Sequence, residues 1–358
     1  MAIITLLIAI SAVGQTKERM DFEAYDPPSS LVVKEHKTTK AKFPFIDVHN
    51  HQFRMPDMEL TPLITDMDRL NMKVMVNLSG QSGEALQKSV DNTSRNYPGR
   101  FIVFANVDFK GVGEKDWGEK AAKQLELDVK NGASGLKIYK SLGFSVKDIS
   151  GNRVTIDDPR LDAVWKKAGQ LKIPVLIHTA DPKQFWMPMD QDNERWLELA
   201  THPNRMRNDT SPAPWDTLIA EQHRLFRKHP KTTFIAAHFG WYANDLAKLG
   251  KLLDDMPNVV VEFGAVIAEL GRQPRAAKEF FIKYQDRILF GKDSWVPSEY
   301  ETYFRVLETE DEYFPYHKKY HAFWRMSGMG LPDNVLKKIY YKNAIRVIPG
   351  IDKTLFPE

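Results

Sequence analysis

Eight short runs dominated by Val, Ile, Leu, Phe and Ala recur between residues 44 and 293. Amphipathic stretches alternate with them, and this rhythm constrains the fold more than any single motif. The runs cover residues 44–53, 74–78, 101–108, 135–139, 174–178, 233–238, 259–263 and 288–293. Helical periodicity appears at 58–71, 84–97, 117–130, 244–256 and 275–284, and Asp158-Pro-Arg-Leu opens a further helix with Pro159 in its first turn. Near-continuous apolar runs suit strands of a parallel sheet covered on both faces. Eight such units over roughly 300 residues predict a (β/α)8 TIM barrel. The rival, a doubly wound open sheet, would carry a Gly-rich phosphate loop after its first strand, and none follows here. A helical excursion, residues 179–230, is inserted after strand five.

At 358 residues with 42% hydrophobic content, the chain can bury one large core. The net charge of +3 is small and its Lys and Arg are scattered, which argues against a nucleic-acid partner. The absence of cysteine excludes disulfides, thiolate ligands and a Cys nucleophile. Residues 2–13 (AIITLLIAISAV) form an apolar run of signal-sequence length, too short to span a bilayer, followed by small residues before Gln15. The division expected is a signal peptide at 1–14, a polar leader at 15–42 and the barrel at 43–358, in an exported (periplasmic or secreted) protein with no membrane span. If the apolar run is instead a buried N-terminal element, the protein is cytoplasmic.

Barrel chemistry sits at the C-terminal ends of the strands. Strand one ends in His49-Asn-His51, strand five in His178, strand six in His238 and strand eight in Asp293. Residues two apart on a strand share a face, so His49 and His51 aim at one point. Four of the ten histidines thus fall at the tips of apolar strands. Four imidazoles and a carboxylate converging on one mouth suit zinc or a similar divalent ion. His36, His202, His223, His229, His317 and His321 read as ordinary surface or packing residues. Lys137, flanked by Leu136 and Ile138, points into the barrel, where an unpaired charge is costly. Glu262 is polar inside an apolar run, either facing the site or ion-paired on the helix side. Arg54 and Asp181, just past metal-bearing strand ends, and Trp186, in the aromatic-rich insertion, are candidate substrate contacts. That long insertion suits either a lid or the contact of a homodimer.

Asp47-Val-His49-Asn-His51, the histidine ends of strands five and six and Gly291-Lys-Asp293-Ser resemble the amidohydrolase superfamily. The nearer branch holds metal-dependent decarboxylases and lactone hydrolases. The stretches 158–165 and 331–345 resemble that branch too, and the likeness spans about residues 43–350. It implies His49, His51 and His178 as ligands of one divalent ion, zinc first and manganese second. It implies Asp293 as a further ligand or general base, and His238 in acid–base or electrostatic work. Other branches carbamylate a lysine at the end of strand four to bridge two metals, which would recruit Lys137; unmodified, Lys137 is placed to hold an anionic substrate group. The expected activity is metal-dependent hydrolysis of an amide, ester or lactone bond in a small molecule. Decarboxylation of a small carboxylic acid is the alternative, and a metal-bearing binding protein without catalysis is the third reading.

Overall fold

The computed structural model describes residues 20–21, 24–208 and 211–357, so the expected signal peptide lies outside the described residues. Two compact units divide at Val32/Val33. The described part of the first is irregular and mostly exposed. The second, Val33–Glu358, carries every strand and helix considered below. Within it, residues before the first strand are tied down: His36 bonds the buried Asp311 through both its backbone N–H and its ring, and Lys42 reaches Glu308 and Asp333.

Nine parallel segments fill eight barrel positions: β1 (Phe45–Asn50), β2 (Met72–Asn77), β3 (Phe101–Val103), β4 (Ala105–Asn106), β5 (Leu136–Ile138), β6 (Val175–Ile177), β7 (Phe234–Ala236), β8 (Val259–Glu262) and β9 (Ile288–Leu289). β3 and β4 form one position, interrupted at Phe104. Pairing runs β1-β2-β3 and then β4 through β9 in order. Two backbone hydrogen bonds carry it from the end of the series back to β1. Val48 N–H donates to the Phe290 carbonyl at 2.9 Å, and Asp293 N–H donates to the His49 carbonyl at 2.7 Å. Nearly every strand residue is buried, as the continuous apolar runs require. The architecture is the expected (β/α)8 TIM barrel.

The helices follow the apolar periodicity. Thr61–Leu70 buries Leu63, Ile64, Met67 and Leu70, a single stripe of i, i+3/i+4 positions. The helix Trp117–Lys130 occupies the predicted range. The helix expected to open at Pro159 begins as a 3-10 turn, Pro159–Leu161, with the Asp158 carboxylate capping Arg160 N–H, and only then becomes α-helical over Asp162–Leu171. Most strands are shorter than the apolar runs, β2 excepted, and single backbone hydrogen bonds such as His178 N–H to the Ile138 carbonyl at 3.0 Å extend the pairing to the residues at their tips. The excursion after β6 holds the helices Trp196–Thr201 and Trp215–Lys228 with two short 3-10 turns. A hairpin, β10 (Phe314–Pro315) with β11 (Arg325–Met326), was not anticipated, since two-residue strands leave no alternation to read. Among the described residues, no helix is long and apolar enough to cross a membrane.

Candidate metal centre

The strand tips are locked before any histidine is placed. Asp47 is fully buried and its carboxylate takes four donors: His49 N–H at 3.0 Å, Lys292 N–H at 3.1 Å, Asn50 Nδ2 at 3.0 Å and Tyr300 Oη at 2.6 Å. These bonds fasten the end of β1 to the segment after β9, so His49 and Asp293 stand side by side. Burial pushes the Asp47 carboxyl up to about 6, against the lowering effect of those four bonds. Gly291 allows the approach: a Cβ there would lie 2.2 Å from Glu262 Oε2 and 3.0 Å from His49 Cβ.

Glu262, left undecided by its sequence context, faces inward. Its Oε1 accepts from His49 Nδ1 at 2.8 Å and from His238 N–H at 2.9 Å, while Oε2 accepts from Gly264 N–H at 2.6 Å. A carboxylate on Nδ1 fixes the His49 tautomer and leaves the Nε2 lone pair free. His51 Nδ1 is held by Ser79 Oγ at 2.8 Å, and Ser79 in turn contacts Tyr139 Oη at 2.8 Å. The two Nε2 atoms then face each other 3.3 Å apart, with Asp293 Oδ1 at 3.5 Å from His49 Nε2 and 3.7 Å from His51 Nε2.

His238 Nδ1 donates to the Gly264 carbonyl at 2.6 Å, which directs its Nε2 lone pair into the same space. Ligand atoms of His49, His238 and Asp293 all lie within 4.8 Å of one another. His178 joins through Nδ1, 3.4 Å from His238 Nε2, and its own Nε2 is buried with no hydrogen-bond partner. The backbone is strained at the same place: His238, Phe239 and Trp241 sit at φ of 54–61°, and Asp293 at φ 86°. Non-glycine residues in this region cost roughly 1–2 kcal/mol each, and such strain persists where the surroundings over-determine it.

Electrostatics favours neutral imidazoles beside an ionised carboxylate. Burial, then the Lys137 charge, holds His49 well below its usual value and His51 at about 4; burial and His238 do the same for His178. Burial raises Asp293, but the surrounding imidazoles and Lys137 outweigh it and hold the carboxyl at about 2. Burial lowers the Lys137 ammonium to about 8, opposed by Asp293 and Glu262. Neutral histidines and a carboxylate are the protonation states a divalent ion needs. With Nε2 atoms converging, their opposite nitrogens tied away and one buried Nε2 orphaned, the donor set fits the group that the resemblance implies.

Lys137 is 1% exposed, its Nζ unbonded, and it lies within this cluster rather than on the pocket wall. A cavity of about 210 Å³ opens beside the cluster, with His178, His238 and Asp293 at its inner end. Asp181 lines it, accepting from Lys140 Nζ at 2.5 Å and Arg207 Nη2 at 3.0 Å. The structure therefore brings together His49, His51, His178, His238, Asp293, Lys137 and Asp181. Arg54 is exposed on the turn after β1 and does not line this cavity. Trp186 packs edge-on against Phe144, donates to the Ala213 carbonyl at 2.7 Å, and is likewise outside the lining. His321, read above as an ordinary residue, does line the cavity, buried, with Nε2 3.4 Å from Glu198 Oε2. Lys140, Arg195, Arg205, Arg207 and Lys318 were also missed. Lys140 lies two residues past the end of β5, whereas the three arginines follow a strand by many residues and Lys318 sits on the hairpin, where no periodicity marks a site.

A family model described as Amidohydrolase matches residues 46–350. The chain belongs to the amidohydrolase family. No curated relative matches the sequence. Among solved structures, this amidohydrolase is similar to 2,6-dihydroxybenzoate decarboxylase from Rhizobium at 14% identity and a TM-score of 0.53, covering 85% of this chain and 98% of that one. A dihydroxybenzoic acid decarboxylase from Polaromonas, solved with bound manganese and the inhibitor 2-nitroresorcinol, gives 16%, 0.54, 85% and 96%. A 4-oxalomesaconate hydratase from Rhodopseudomonas palustris gives 15%, 0.50, 87% and 97%. At such identities the likeness carries the fold alone.

Proposed function

We propose that this amidohydrolase is a metal-dependent hydrolase of an amide, ester or lactone bond in a small molecule. The observation that carries the reading is the facing pair of Nε2 atoms, 3.3 Å apart, with the Asp293 carboxylate beside both. His49, His51 and Asp293 would hold one divalent ion, zinc or manganese, and His178, whose Nδ1 lies 3.4 Å from His238 Nε2, offers a further donor. When bound, such an ion supplies a Lewis acid and a water acidified to roughly pKa 7.

The chain's own groups do the rest. Asp293, ionised and within the cluster, takes the attacking water's proton at its carboxylate and returns it to the leaving group. His238, its Nδ1–H held by Gly264, keeps Nε2 as a proton acceptor and, once protonated, as a donor to a developing oxyanion. Glu262 holds His49 and the His238 backbone in place, and the 210 Å³ cavity seats the substrate.

Decarboxylation of a small carboxylic acid is the second reading. The cations lining the cavity support it, because they would grip a carboxylate, and two of the solved structures above are decarboxylases. The test is a panel of lactones, esters and amides, and matched carboxylic acids, presented to the metal-loaded protein. Hydrolysis products, with proton release from the lactones and esters, support the first reading, and evolved carbon dioxide with no hydrolysis supports the second. Near wild-type turnover in Asp293→Asn or His238→Ala would overturn the roles given to those residues.

A further inference from the structure

We propose that the cavity beside the metal centre selects a small dianionic substrate. One anionic or polarised group sits at the centre, and a second anionic group, a carboxylate or a phosphonate-like oxyanion, is held on the outer wall by Lys318 with Arg205 and Arg207. The inference rests on the metal-centre reading and names the substrate class for that site.

Apart from Asp293 at the centre, the cavity is lined by five cations, Lys140, Arg195, Arg205, Arg207 and Lys318, and by two acids, Asp181 and Glu198. Each acid serves two cations. Asp181 takes Lys140 at 2.5 Å on one oxygen and Arg207 at 3.0 Å on the other. Glu198 takes Arg195 and Arg205, each at 2.6 Å, on separate oxygens. Glu269, behind the wall, gives Arg195 a second partner. Counting Glu269, the wall still carries two positive charges more than its acids neutralise. In a cleft, where the low dielectric of the walls screens poorly, such an excess focuses potential on an anion.

Lys318 contributes most directly to that excess. It is half-buried, lines the cavity, and among the described residues no hydrogen bond or ion pair engages its ammonium. Glu299, an acid that feels its charge, is already bonded by Lys292 and lies 3.5 Å from His317. A surface lysine left to water is common, but this one faces a cavity with four other cations. Its neighbours are held for recognition. The guanidinium of Arg205 lies over the Tyr320 ring at 5.7 Å, that of Arg207 over Phe144 at 5.5 Å, and both are pinned by their acids. Fixed guanidinium planes and an unpaired ammonium lining one cavity suit an oxyanion, and the pinned guanidinium groups lose little rotamer freedom on binding. A neutral substrate would leave the excess unmet. A monoanion could serve the centre or the wall, and a dianion serves both.

The experiment is calorimetric titration of the metal-loaded full chain with three probes: glutarate, valerate and 3-phosphonopropionate. Glutarate and valerate share a five-carbon skeleton and differ by one carboxylate. Glutarate is expected to bind about tenfold tighter than valerate. In Lys318→Met that ratio falls to near unity through loss of glutarate affinity, and Lys318→Arg restores it. A preference for 3-phosphonopropionate over glutarate assigns the wall group as phosphoryl rather than carboxyl. Equal binding of glutarate and valerate to the wild type, or an unchanged ratio in Lys318→Met, overturns the proposal. Metal content measured on the same samples separates the two readings. Metal held without discrimination refutes the anion wall alone. Discrimination that depends on Lys318 in a chain that takes up no metal supports the wall and refutes the centre.

Discussion

Replacing Glu262 with Gln changes one atom and should unmake the metal centre. The carboxylate accepts three hydrogen bonds, from His49 Nδ1 at 2.8 Å, His238 N–H at 2.9 Å and Gly264 N–H at 2.6 Å, and it is fully buried. A glutamine can offer one oxygen to this set, and its NH2 must then face at least one N–H donor. One buried donor is left unpaired, at a cost of about 1–3 kcal/mol. The His49 ring also loses the charge-assisted bond that fixes its tautomer. Losing such a partner typically lowers metal affinity by about 10–100-fold, or about 1.4–2.8 kcal/mol. The assay is competition for zinc or manganese against a chromophoric chelator, with circular dichroism to establish that the barrel is folded. Metal affinity within about threefold of wild type in a folded Glu262→Gln protein would refute the claim that Glu262 sets the ligand geometry.

Two further outcomes follow from the packing. Arg195 is 4% exposed and bonded to Glu198 and Glu269; Glu198 keeps Arg205, but Arg195→Met strands the buried Glu269 carboxylate and should cost about 3–5 kcal/mol in chemical denaturation; a loss near zero would mean the network is solvated. His223 is held at about 4 by burial and the Arg227 charge, whereas the unfolded chain protonates near 6.5. The unfolded state therefore binds the extra proton between those values, and stability should fall as pH drops from about 6.5 to about 4, by on the order of 3 kcal/mol. His223→Phe should make that acid limb shallower, the other buried histidines keeping the rest of it, and superimposable profiles for variant and wild type would contradict the assignment.

The centre was legible in the sequence for a geometric reason. In a barrel, strand tips converge, so His49, His51, His178, His238 and Asp293 could be assigned to one mouth once eight runs were counted. Lys137 was equally legible, because Leu136 and Ile138 left it only the interior. Glu262 was not, since one polar residue in an apolar run reads the same facing the site or facing a helix, and only its three donors distinguish the cases. The cationic wall was illegible for a different reason. Arg195, Arg205 and Arg207 come from the excursion and Lys318 and His321 from the hairpin, segments whose approach is fixed by tertiary packing such as Arg272 over Trp324 at 3.8 Å. Arg54, suggested by proximity to a strand end, is exposed on the turn after β1 and lies outside the cavity lining.

The most direct test of the metal centre is metal content per chain, by elemental analysis of protein purified without chelators or a metal-binding tag. The account predicts about one zinc or manganese ion per chain, lost in a folded His49→Ala, His51→Ala double variant. A chain that holds no metal, and takes up none after dialysis against zinc and manganese, would contradict it and leave only the barrel standing.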